Sequence, residues 1–140
     1  MSGPLRFARS LSFRLAGTAV LAAFVAACGG VGPDANNTNT SFSERLEVGG
    51  QDTFQFTVQK NGEFSVQLTA LSNANAVLGI YVGQMGSGIC NPIVGYVTPI
   101  AVLNRDALSS SITKGAYCLQ VYDSGSLTGT VDYTVRVNHP

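Results

Sequence analysis

From Ser41 onward the chain alternates apolar and polar residues and shows no helical period. Phe54, Phe56 and Val58 lie on one side of an extended backbone, with Thr53, Gln55 and Thr57 on the other. Phe64, Val66, Leu68 and Ala70 alternate with Ser65, Gln67 and Thr69 in the same way. Tyr117, Leu119 and Val121 alternate with Cys118, Gln120 and Tyr122, and Val131, Tyr133, Val135 and Val137 with Asp132, Thr134 and Arg136. Successive strand side chains point to opposite faces, so a period of two with one apolar face marks half-buried antiparallel strands. Ala76–Val82 is apolar on both faces and predicts a strand near the middle of a sheet. The core expected from these runs is Phe54, Phe56, Phe64, Val66, Leu68, Leu119, Val121, Tyr133 and Val135.

The breaks between runs carry turn chemistry. Gly49-Gly50 precedes the first clear strand, and Asn61-Gly62 separates it from the second. Asn-Gly between alternating runs predicts a hairpin, because both residues tolerate positive φ. Lys114-Gly115 and Asp123-Ser124-Gly125 mark two further turns. Short strands at this spacing predict an all-β antiparallel sandwich, a single domain over residues 41–140. Ile89 to Leu103 contains Pro92, Gly95 and Pro99 and predicts an irregular connection with short paired pieces, since proline cannot donate in a central ladder.

The first 27 residues have a different character. Arg6, Arg9 and Arg14 form a basic segment without acidic neighbours, and Leu15 to Ala27 is apolar or small throughout. That length suits the core of a secretory signal helix and falls short of the roughly 20 residues that span a bilayer. Val25-Ala26-Ala27-Cys28 resembles the lipobox of bacterial lipoproteins, which implies cleavage before Cys28 and acylation of that cysteine. Two or three acyl chains hold a protein on a membrane, at about 0.8 kcal/mol per buried methylene. Gly29, where inner-membrane retention would call for Asp, implies the outer membrane in a host that has one. Residues 28–40 then form the lipidated cysteine and a flexible tether: Gly29 to Thr40 is rich in Gly and Asn, with one aliphatic residue, and spans roughly 20 Å. Asn36-Asn37-Thr38 and Asn39-Thr40-Ser41 match a glycosylation sequon, a chance match in such a protein.

Removing the signal also removes three of the eight basic residues. Five remain against eight acids, so the neutral full chain becomes a mature chain of 113 residues with net charge −3. Nucleic acid is excluded as a partner, because it demands a basic footprint.

Several runs together resemble a known family. Gln51 to Val58 is similar to an early D-x-F-x-F-x-V strand and Phe64-Ser65-Val66-Gln67-Leu68 to the strand after it. Leu78-Gly79-Ile80-Tyr81-Val82 is similar to an L-x-L-Y-L strand, Lys114 to Val121 to G-x-Y-x-V-x-V, and Tyr133 to Val137 to a closing Y-x-L-x-V. In this order they resemble the bacterial pre-peptidase C-terminal domain over Phe42 to Asn138. The resemblance implies a jelly-roll-like sandwich and a non-catalytic role in secretion, substrate attachment or surface interaction. Here the domain is expected to stand alone behind a lipid anchor, with no enzyme attached. Some relatives bind calcium or collagen, and no matching ligand cluster is present to carry those activities over.

The candidate chemistry is sparse. Cys90 and Cys118 remain once Cys28 is lipidated, and two cysteines in an exported domain predict a disulfide, placed outside the main core by the strand face of Cys118. The one histidine, His139, reads as a solvated tail residue without a nucleophile or base partner nearby, which disfavours zinc and histidine catalysis. Asp52, Asp106, Asp123 and Asp132 are the carboxylates that an enzyme would need to converge. Their ordinary readings are turns for Asp52 and Asp123, a strand entry for Asp106 and a polar face for Asp132. Asp52 or Asp123 could serve calcium, but no D-x-D-x-D spacing supports it. No cofactor is expected. Gly83 to Gly88 reads as a mobile loop lacking the lysine and helix of a phosphate loop, and Ser109-Ser110-Ser111 as a strand edge. Tyr81, Tyr96 and Tyr122 offer either a platform for sugar or peptide, or ordinary packing.

The leading reading is a lipid-anchored, non-catalytic envelope module that binds protein, peptide or glycan. The alternatives are a structural envelope component with a membrane-protein partner and, more distantly, a carboxylate-dependent hydrolase. Clustered exposed tyrosines favour glycan, an exposed apolar patch favours protein, and converging acids favour the enzyme. Mass spectrometry of the mature N-terminus should find an acylated Cys28; an unmodified N-terminus at any other residue overturns the lipoprotein reading.

Overall fold

The structure, a computed structural model, describes residues 36–140. The signal segment, Cys28 and most of the tether lie outside the described residues. Eight strands follow: β1 (Thr38–Leu46), β2 (Gln51–Val58), β3 (Gly62–Leu71), β4 (Leu78–Gly86), β5 (Ile89–Ala101), β6 (Asp106–Ile112), β7 (Gly115–Asp123) and β8 (Val131–His139). They form two four-stranded sheets, in the orders β1-β8-β3-β6 and β2-β7-β4-β5.

The pairing is nested. β1 pairs with β8, β2 with β7, β3 with β6 and β4 with β5, all antiparallel, as in one long hairpin doubled back on itself. Rolling that ribbon up adds β3 to β8 and β4 to β7. This is the eight-stranded jelly-roll form of the sandwich. Only β4 and β5 are joined as a local hairpin. Asn61-Gly62 therefore does not close one: β2 and β3 lie in different sheets, and residues 59–61 cross between them. The turn chemistry is real, but the partner of each strand is chosen by the roll. Asn61 Oδ1 instead accepts from the Lys114 backbone N–H (2.8 Å), which fastens this crossing to the β6–β7 crossing.

The core is the set of inner faces read from the alternation. Phe56, Phe64, Val66, Leu68, Leu119, Val121, Tyr133 and Val135 are all buried, with Leu78, Ile80 and Val82 from β4. Phe54 is only half-buried, because β2 is an edge strand and the sandwich opens beside it. Aromatic pairs close the two lateral openings. Phe42 on β1 stacks on Phe54 at 4.6 Å, and Phe64 on β3 meets Tyr96 on β5 edge-on at 5.1 Å. Each pair spans the two sheets.

Three other expectations change. β1 begins at Thr38, so three residues read as tether belong to the domain. Thr38, Asn39 and Thr40 pair through their backbones with His139, Asn138 and Val137, which needs no apolar side chain. Ile89–Ala101 is one continuous strand: as an edge strand it tolerates Pro92 and Pro99, and a bulge between the Gly83–Pro92 and Tyr81–Val97 pairs absorbs the excess length. Finally, β4 extends to Gly86, so most of the glycine-rich stretch from Gly83 is strand and only Ser87-Gly88 turns.

Phe56→Ala should lower the unfolding free energy by about 3–5 kcal/mol, as for other large-to-small core changes. Phe54→Ala should cost clearly less, and denaturant titration of the two variants checks the ranking.

Candidate functional site

The outer face of the second sheet is organised around a backbone crossing. Cys90 on β5 and Cys118 on β7 are disulfide-bonded with Cα atoms 5.8 Å apart, although β4 lies between their strands. Strands two places apart in a flat sheet stand about 9.5 Å apart. The start of β5 must therefore fold over the outer face of β4, and Gly83 leaves the room. A Cβ at Gly83 would stand 2.1 Å from the Asn91 carbonyl oxygen and 3.1 Å from Cys90 Sγ. The bridge lies outside the core, as expected, yet both cysteines are buried beneath the fold-over.

Polar side chains beside the bridge satisfy one another. The Tyr81 hydroxyl donates to Gln120 Oε1 (2.7 Å) and lies 3.0 Å from the Cys90 carbonyl oxygen. Gln120 Nε2 donates to Gln51 Oε1 (2.7 Å). Burial pushes the Tyr81 phenol above its usual range, with Tyr122 adding to the effect. The far end of the Tyr122 ring covers Gly79, where a Cβ would collide with it. Tyr81 and Tyr122 are thus neighbours, 6.0 Å between centroids. Tyr96 is not with them, since it packs on Phe64 and donates its hydroxyl proton to the Ser111 carbonyl. The three tyrosines do not form one platform.

A different surface stands out along β5. Among the described residues, the large apolar ones that remain exposed are Val48, Met85, Ile89, Val94, Val97, Ile100 and Val102. Six of these seven belong to the β4–β5 hairpin or the residue after it, with Val94 98 % exposed at the bulge and Ile89 and Ile100 each 65 % exposed. No charge interrupts them. The 41 residues from Phe64 to Asn104 contain no Asp, Glu, Lys or Arg. Edge strands are ordinarily guarded by charge, proline or a bulge. This one keeps Pro92, Pro99 and the bulge, and lacks the charge. The alternation pattern did not single out this margin, but the uncharged run was there to be read.

The four carboxylates stand apart, and three of them serve the fold. Asp52 lies in β2 rather than in a turn, and its Oδ2 accepts from the Tyr133 hydroxyl (2.8 Å). Burial, and then that bond, pushes the Tyr133 phenol well above its usual range. Asp123 ends β7 and accepts from the Gly49, Gly125, Ser126 and Leu127 backbone N–H groups. These bonds, Gly49's foremost, hold its carboxyl below the usual range. Asp132 is held low by its exposed ion pair with Arg45 at 2.7 Å. Asp106 opens β6 at the surface, and Ser109 to Ser111 lie in the same edge strand. Among the described residues no group of three or more His, Cys, Asp and Glu side chains is placed to hold a metal ion. A shallow groove of about 640 Å³ on the outer face of the first sheet is lined by Ser43, Arg45, Ser72, Asp132 and Thr134 and carries no such cluster.

His139 is not a solvated tail. It is 4 % exposed, its Nε2 lies 3.0 Å from Thr40 Oγ1 and its ring packs 5.3 Å from Phe56. The roll places β8 between β1 and β3, so the last strand is interior to its sheet and its end is covered. No protein-family model matches the chain, and no curated protein matches it.

Reduction of Cys90–Cys118, which closes a loop with a sequence separation of 28, should lower stability by about 3.5 kcal/mol on the chain-entropy model. Thiol counting on the unreduced folded protein should find neither sulfur free. A pH effect follows from His139. Burial depresses its pKa below the ordinary 6.5, so the unfolded chain takes up the proton first as pH falls. Stability should therefore decline as pH drops below 6.5 and level off below the folded-state pKa. Thermal melts between about pH 7.5 and about pH 5 should show this slope in the parent and lose it in His139→Gln.

Proposed function

We propose that this chain is a non-catalytic, lipid-anchored module of the bacterial cell envelope that binds a protein partner along its β5 margin. One observation carries the reading: among the described residues, six of the seven exposed large apolar side chains lie on the uncharged β4–β5 hairpin or the residue after it. Exposed apolar side chains gathered on one hairpin in this way suit an interaction site. The prolines refine it. Pro92 and Pro99 give β5 no N–H at two positions, which blunts strand-to-strand pairing and leaves side-chain docking as the mode. The lipobox Val25-Ala26-Ala27-Cys28 and the similarity of the strand runs to pre-peptidase C-terminal domains support the anchored, accessory role. A structural envelope role with a membrane-protein partner would use the same margin.

Glycan binding is the weaker reading. Tyr81 spends its hydroxyl on Gln120 and Cys90, and Tyr122 covers Gly79, so both rings have structural work on the face where a sugar would stack. The enzyme reading draws no support from carboxylates that stand apart, three of them already engaged in the fold.

A photocrosslinking residue at Val94 or Ile100 of the full chain, expressed in cells, should give one defined protein adduct. The same residue at Ser43, on the opposite sheet, should not. Equal adducts from all three positions, or none from Val94 and Ile100, would overturn the assignment.

A further inference from the structure

The two ends of the sandwich differ. Thr38 enters beside His139, and this end also holds the β2–β3 crossing, the β6–β7 crossing and the Gly86–Ile89 turn. The parts are knit together: Asn37 Nδ2 donates to the Glu63 carbonyl oxygen, Gln59 N–H to the Pro140 carbonyl oxygen, and Lys114 N–H to Asn61 Oδ1. Both of the chain's lysines, Lys60 and Lys114, lie here against Glu63, so this end is near neutral. The opposite end gathers Glu44, Glu47, Asp52, Asp106, Asp123 and Asp132 against Arg45 and Arg105. It is strongly acidic.

We infer that the module stands end-on upon an anionic lipid bilayer, its Thr38 end against the surface and its acidic end pointing away. The inference rests on the anchored reading above, and the length of the connecting chain is its first argument. Ten residues lead from Cys28 to Thr38. Ten residues reach no more than about 35 Å when drawn straight. Strands of nine residues make the sandwich about 30 Å tall. Turning it over would lift Thr38 that far from the bilayer and demand a nearly straight connection, at a large cost in chain entropy. Charge is the second argument. Within a Debye length of the surface, anionic headgroups repel an end of six carboxylates against two arginines more than the near-neutral end with Lys60, Lys114 and Glu63. The two arguments act in the same direction. The β5 margin then rises from the membrane, with Ile89 at its foot and Ile100 and Val102 near its top.

Single tryptophans test this, because the chain has none of its own. Ile89→Trp, Ile100→Trp and Val48→Trp each occupy an exposed site, with Val48 in the β1–β2 turn at the acidic end. The lipidated full chain is first floated on neutral phosphatidylcholine vesicles, then moved to vesicles containing phosphatidylglycerol. End-on attachment predicts a blue-shifted emission for Ile89→Trp alone, together with slowed acetylation of Lys60 and Lys114 in the parent relative to detergent micelles. Shifts at both Ile89 and Ile100 would mean that the margin itself lies on lipid, and would overturn the inference. No shift anywhere, with lysines freely acetylated, would show a domain that hangs clear, and would also overturn it. Failure to float on neutral vesicles would remove the anchor, and the end-on arrangement with it, while leaving the crosslinking result at Val94 to stand or fall by itself.

Discussion

Everything in this sandwich depends on the pairing of its first and last strands. β8 lies between β1 and β3, so the last strand is the middle of its sheet. Val135 and Val137 are fully buried there, and Tyr133 reaches across to Asp52 on the other sheet. Without β8, β1 has no ladder partner, β3 keeps only β6, and the inner faces of β2 and β7 lose much of what they pack against. The same constraint makes His139 an interior residue although it stands one position from the end of the sequence.

The β5 margin is held by three unlike devices. The disulfide pins its start across β4, Tyr96 turns inward at the bulge to reach Phe64 and Ser111, and Ala101 is buried where the strand meets Leu78. Between these fixed points the side chains of Ile89, Val94, Val97 and Ile100 face outward on a backbone that is not free to move far. A rigid apolar margin loses little conformational entropy on docking, which favours affinity for a given contact area. Rigidity and exposure therefore belong to one design: the strand is fastened from behind so that its front can stay apolar.

Much of the fold was legible because strand alternation is local. The faces of β3, β7 and β8 follow from a period of two, and their buried residues were read correctly from it. Pairing is not local. Asn61-Gly62 has hairpin chemistry in every respect, yet it bridges two sheets, because β2 gains more by pairing with β7. Proline statistics described Pro92 and Pro99 as breaks, whereas the edge position that excuses them is a property of the whole roll. The Cys90–Cys118 pair could be expected from number and compartment, but its passage over Gly83 could not, since it depends on β4 lying between the two cysteine strands, which only the roll decides. The candidate carboxylates were legible as residues and not as roles. Nothing local shows that Asp123 will collect four backbone N–H groups or that Asp52 will meet Tyr133.

The nested pairing also fixes an order of events. β1 is synthesised before any other strand of the domain, and its ladder partner β8 is synthesised last. Contacts between such distant segments form slowly, because the intervening loop must close first. β1 must therefore pass through the whole of synthesis without its mate. Its composition suits the wait: Thr38-Asn39-Thr40-Ser41 and Ser43-Glu44-Arg45 leave only Phe42 and Leu46 as large apolar groups. A more apolar first strand would invite the wrong neighbour long before the right one exists.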